Sequence, residues 1–111
     1  MAIKIVVSDT VRFGVKGVIR GATGADEPFG FNLTCKRLDS EEIQSRLRAQ
    51  EDQPLTDFFA EIVLDWSGVQ SETGQPLPYS VENLRALFRI PGTAALAFRT
   101  YLSEVGAKEK N

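Results

Sequence analysis

Histidine is absent from the 111 residues, which removes the usual general base near neutral pH and the commonest metal ligand. Cysteine occurs once, at Cys35. No internal disulfide can therefore form, and a lone cysteine without a paired base reads as a reduced, structural thiol. Charge of one sign is lacking too: 13 basic and 15 acidic residues leave a net charge of −2. That balance gives no electrostatic footprint for nucleic acid. No apolar run reaches the roughly 18 residues that a membrane helix needs. The segment from Met1 to Val7 carries Lys4 inside an alternating run, without the apolar core and cleavage site of a signal peptide. The expectation is a cytoplasmic protein with no cofactor, no metal, and neither nucleic acid nor membrane as partner.

What is present is an ordinary globular composition, 42% hydrophobic and 25% charged, at a length suited to one core. Repeats and low-complexity tracts are missing, and one strand-rich third precedes a helix-rich remainder. The chain reads as a single domain: residues 1–38 rich in strand, 39–107 helical, and 108–111 a fraying tail.

In the first part Ile3, Ile5 and Val7 alternate with polar neighbours, as do Phe13, Val15 and Ile19, and then Phe29, Phe31, Leu33 and Cys35. Period two is the mark of half-buried strands. A cluster of turn residues from Gly21 to Pro28 separates the last two runs. The expectation is an N-terminal antiparallel meander or hairpin, with a three-stranded meander favoured. Whether Ser8-Asp9-Thr10 is a turn between strands or a kink within one stays open.

At Leu38 the period changes. Asp39 and Glu42 have capping-box spacing, with Leu38 and Ile43 placed as a hydrophobic staple, ahead of a peripheral helix with a narrow apolar stripe. Leu55, Phe58, Phe59, Ile62, Val63 and Trp66 then follow helical spacing, which predicts one long helix closed by Gly68. After a polar loop containing Gly74, Pro76 and Pro78, Ser80 caps a short helix with Leu84, Leu87 and Phe88 on its buried side. Pro91-Gly92 interrupts, and Ala94, Phe98, Tyr101, Leu102 and Val105 mark a final helix. The fold class is therefore α+β, with about four helices packed on the sheet.

Groups that could carry chemistry have plainer uses. Glu41 and Glu42 sit in a first helical turn, where they favour the helix dipole, and Asp57 and Glu61 fall at i, i+4 opposite the apolar stripe. Neither these nor Asp65 with Glu72 signal two carboxylates held across a cleft. Cys35 is in phase with apolar strand residues, as a small core hydrophobe is. Gly14, Gly17, Gly21 and Gly24 lack the Lys-Ser/Thr ending of a phosphate loop. Lys16, Arg20, Lys36 and Arg37 could line one face of the hairpin, although interleaved acids cancel their field. The chain reads as a non-enzyme that binds other proteins. The partner-contact candidates are the large aromatics around the loop and the last two helices: Trp66, Tyr79, Phe88, Phe98 and Tyr101. Internal packing is the competing use of the same rings.

The ordered set Asp65-Trp-Ser-Gly-Val69, Gly74-Gln-Pro-Leu-Pro-Tyr-Ser80, Leu84 to Phe88 and Pro91-Gly92 resembles small tail assembly chaperones of long-tailed bacteriophages and prophages. With the N-terminal strands and the Lys36-Arg37-Leu38 junction, the resemblance covers nearly the whole chain. It implies a chaperone that binds the tape measure protein, helps recruit tail tube subunits, and is absent from the finished tail. Self-association is compatible with that role, and a structural minor tail protein retained in the virion is the alternative. The family commonly makes a second, longer product by ribosomal frameshifting. Near the C-terminus only Lys110-Asn111 can be written as slippery codons, AAA followed by AAC or AAU after an A. A Glu109 codon ending in G, or AAG at Lys110, would exclude it.

Overall fold

The computed structural model describes residue 2 and residues 8–49 and 54–106 of the protein. The run Ile3 to Val7, the break at 50–53 and the tail from 107, with its slippery codons, lie outside the described residues. The elements are β1 (Thr10–Arg20), β2 (Asp26–Lys36), α1 (Ser40–Ala49), α2 (Leu55–Ile62), β3 (Val63–Ser67), α3 (Val81–Phe88) and α4 (Thr93–Val105). Among the described residues, one antiparallel sheet of order β1-β2-β3 with four helices makes the α+β arrangement that the change of period predicts.

The hairpin β1-β2 runs in unbroken register from Thr10 opposite Lys36 to Arg20 opposite Asp26. Its tip is closed by Gly21 N–H to Ala25 O (2.9 Å) and Gly24 N–H to Gly21 O (3.0 Å). Gly24 has φ 85°, a left-handed conformation that costs glycine little. Beyond the paired strands, Arg37 N–H donates to Asp9 O (2.8 Å). In an antiparallel ladder that bond marks a hydrogen-bonded pair, so odd-numbered β1 residues bond β2 and even-numbered ones turn their N–H and C=O outward. The same register explains Pro28. It stands opposite Val18 in a non-bonded pair and lies beyond the four β2 residues that pair with β3, so its missing N–H costs no ladder bond.

Val11, Phe13, Val15, Phe31, Leu33 and Cys35 turn to one face and are buried. The helices cover that face, with α4 against β1 through an edge-to-face contact of Phe13 and Tyr101 (5.9 Å between centroids). The opposite face is polar and carries Arg12, Lys16 and Asp65, all exposed.

The long helix expected from Leu55 to Trp66 is instead two elements. Helix α2 ends at Ile62, Val63 is extended (φ −72°, ψ 129°), and β3 pairs with β2, so Gly68 (φ 84°) closes a strand and not a helix. The register slips between Thr34 and Cys35, leaving Leu64 as an extra, exposed residue between buried Val63 and Trp66. A bulge of this kind makes a strand bury residues three apart. That spacing also belongs to a helix, which is why the apolar pattern looked continuous. The third strand of the sheet therefore comes from the middle of the chain.

The capping predictions hold. Glu42 N–H donates to Asp39 Oδ1 (2.8 Å), and Asp39 N–H to Glu42 Oε1 (3.3 Å). Leu38 is buried and Ile43 half-buried, while Leu47 stays exposed, so α1 is peripheral. Ser80 Oγ accepts from Asn83 N–H at 3.0 Å. The last helix starts at Thr93 after Gly92 (φ 89°). Of the expected stripe Tyr101 is fully inward, in line with Thr93 and Ala97, while Ala94, Phe98, Leu102 and Val105 are half-buried beside it.

Candidate partner-binding surface

The five aromatic candidates fall into two groups. Trp66 points inward from β3, its Nε1–H donating to Leu77 O (2.9 Å), and its ring meets Tyr79 edge-on at 5.4 Å. Leu77 N–H donates in turn to Val69 O (2.9 Å), and Gln70 bridges Pro76, so the proline loop is pinned back on itself. Phe88, Phe98 and Tyr101 converge on Phe58 and Phe59, with Phe58–Phe98 and Phe59–Phe88 both at 5.3 Å. Trp66, Phe88 and Tyr101 are buried; Tyr79 and Phe98 keep part of their surface.

Tyr101 has a particular place. Its hydroxyl donates to Lys36 O (2.8 Å) and accepts from Leu38 N–H (3.0 Å). Lys36 is an even-numbered β2 residue, so its carbonyl points away from β1, past the point where β3 pairing has ended. The hydroxyl thus closes the ladder's last acceptor and fixes the strand-to-helix junction to α4. Burial is the main cause that pushes its ionisation upward.

The acids are engaged or apart. Asp57 pairs with Arg85 (2.8 Å), Glu61 with Arg46, and Asp39 and Glu42 cap each other. Cys35 is fully buried, and desolvation pushes its thiol up to about 12, so it stays protonated. Of the basic group, Lys16, Arg20 and Lys36 share the outer sheet face. Arg37 instead lines a cleft of about 520 Å³ with Asp9, Leu38 and Leu102, where its Nη1 donates to Val105 O (3.1 Å). Arg37 Nε is buried there without a partner among the described residues.

A second concavity was not legible from the sequence. Ile19, Phe29, Phe31, Val69, Leu87 and Ile90 line a groove of about 170 Å³ between the far end of the hairpin and the α3–α4 turn. At its rim Ile19 is 36% and Ile90 38% exposed. Gly17 makes the packing beneath it: a β-carbon there would stand 2.8 Å from the Phe29 ring and 2.9 Å from Leu96. Ile19 continues the buried period of Phe13 and Val15 past the end of the helical cover, and that continuation was the available signal. Chemically the groove offers dispersion and desolvation to an apolar side chain and no ionisable group.

No curated protein and no solved structure matches the chain. A family model, that of the YdaY prophage protein, matches residues 32–103, from the middle of β2 into the last turns of α4. The match takes in β3, the pinned loop and all four helices, most of the chain, and the protein belongs to the YdaY prophage protein family.

Proposed function

We propose that this prophage protein is a non-catalytic tail assembly chaperone that binds the tape measure protein and helps recruit tail tube subunits in the host cytoplasm. The observation that carries this reading is the apolar groove with Ile19 and Ile90 exposed at its rim. An apolar hollow bordered by exposed branched side chains suits transient capture of an apolar residue from a long helical client. Its size admits one or two side chains at a time, which favours many weak engagements along a repetitive partner over one tight complex. The ordered motif from Asp65 to Gly92 supports the same reading through its likeness to tail assembly chaperones.

Co-expression with the tape measure protein encoded alongside tests it. The wild-type chain should keep the tape measure soluble and co-purify with it, and Ile19→Glu with Ile90→Glu should abolish this while the fold persists, since both residues are rim-exposed. Equal recovery with the double variant would refute the groove as the client site. Mass spectrometry of purified particles separates the alternative: a chaperone is absent from them, and a minor tail protein is present in fixed copy number.

A further inference from the structure

The outer edge of β1 carries a second, independent signal. Even-numbered β1 residues turn their backbone groups away from β2, as the Arg37–Asp9 bond fixes. Thr10 O is met by Ser8 Oγ at 3.0 Å. Among the described residues no strand pairs with these groups from Arg12 to Arg20, and β1 is an end strand of the sheet they form. The edge is long, flat in register and free of proline or bulge; among the described residues the only shift in the sheet lies between Thr34 and Cys35, toward β3. Proline and bulges are two of the devices by which edges are closed to pairing; charged side chains, which repel unmatched strands, are a third.

What the edge does carry is charge. Arg12, Lys16 and Arg20 stand four residues apart on the solvent face, and among the described residues their only ion pair is a long contact of Arg20 to Asp26 (3.9 Å, both exposed). Two copies joined antiparallel about Lys16 would set lysine against lysine and Arg12 against Arg20, which is repulsive across a strand pair. A strand bearing acids at the matching positions would meet three opposite charges instead. Because the cations are symmetric about Lys16, either strand direction satisfies them. Val18, exposed between two of them, adds an apolar contact.

We propose that the outer edge of β1 takes up an extended segment of another protein, with acidic residues at every fourth position on the face it shares with Arg12, Lys16 and Arg20. The added segment forms main-chain hydrogen bonds with the even-numbered residues, and the charges set its register. The inference does not rest on the groove or on a role in tail assembly, and its test uses neither.

Amide exchange on the free, full-length chain comes first. Odd-numbered β1 amides should be protected, and those of Gly14, Lys16 and Val18 should exchange fast. A synthetic strand peptide with glutamate at every fourth position should then shift and protect those even-numbered amides, and its affinity should fall with added salt. A matched lysine peptide should not bind. Val18→Pro removes an outward N–H that β2 does not use, and should weaken the glutamate peptide about tenfold or more with the charges intact. Arg12→Glu with Lys16→Glu and Arg20→Glu should transfer binding to the lysine peptide. Protected even-numbered amides in the free protein would overturn the proposal, because the edge would already be filled. Undiminished binding by Val18→Pro would overturn it as well, as would the absence of saturable shifts with the glutamate peptide.

Discussion

Replacing Tyr101 by phenylalanine deletes one oxygen from a ring that is completely buried. The ring's packing against Phe13 and Phe58 can be kept, so the change isolates the two hydrogen bonds to Lys36 O and Leu38 N–H. Neither backbone group has a ladder partner to fall back on, and the Leu38 amide is enclosed. Leaving a buried polar group unsatisfied costs about 1–3 kcal/mol, so the pair should cost about 2–3 kcal/mol once partial hydration of the Lys36 carbonyl is allowed. With a urea slope of about 1–2 kcal/mol/M, the unfolding midpoint should fall by roughly 1–3 M at unchanged slope. Tyr79→Phe supplies the contrast, since its hydroxyl is buried with no partner among the described residues. Removing it should be neutral or stabilising. Trp66 is the only tryptophan and reports both transitions. Tyr101→Phe within about 0.5 kcal/mol of wild type, or equal losses at the two positions, would refute the assignment of the Tyr101 hydroxyl as the tie between β2 and α4.

Other outcomes follow from single contacts. Gly68→Ala places a β-carbon 3.3 Å from Phe31 Cα at φ 84°, and should cost about 1–3 kcal/mol by thermal or urea unfolding. Ser80→Ala removes the cap on Asn83 N–H and should cost about 1 kcal/mol, which Ser80→Asp largely restores. Asp57→Ala breaks an ion pair whose partners are 37% and 48% exposed, and should change stability by less than about 0.5 kcal/mol. Cys35, raised by burial to about 12, should resist thiol reagents at pH 8 until denaturant is added. Its folded-state value lies above its ordinary value of 9.0, so its contribution is complete below pH 9 and is lost as the pH climbs toward 12. Cys35→Ala should therefore be weaker at neutral pH yet show a shallower alkaline loss, with Tyr79 and Tyr101, also raised, keeping part of the slope.

Local chemistry with a fixed offset was readable in advance. The Asp39–Glu42 box, the Ser80 cap and the two-residue period of the hairpin each depend on neighbours within a few residues, and all are present. Trp66 was not readable in the same way. Its spacing from Ile62 and Val63 suits a helix, and only the pairing of Leu33 with Trp66, 33 positions apart and beyond a bulge at Leu64, makes it a strand residue. Periodicity reports which residues face a core and is silent on whether a helix or a bulged strand turns them there. The aromatic candidates illustrate the same limit for burial. Size and position near a loop selected Trp66, Phe88 and Tyr101, which the fold spends on its interior. The surfaces proposed above to meet partners are Ile19, Ile90 and the outer face of β1, residues whose neighbours along the chain are unremarkable. Ile19 and Ile90 become a rim because the hairpin outruns its helices, and Arg12, Lys16 and Arg20 become a row because they alternate along one face of β1, the end strand among the described residues. Exposure at these positions is a property of where each element stops, and binding residues in a small domain should be sought at the ends and edges of elements before their most conspicuous side chains.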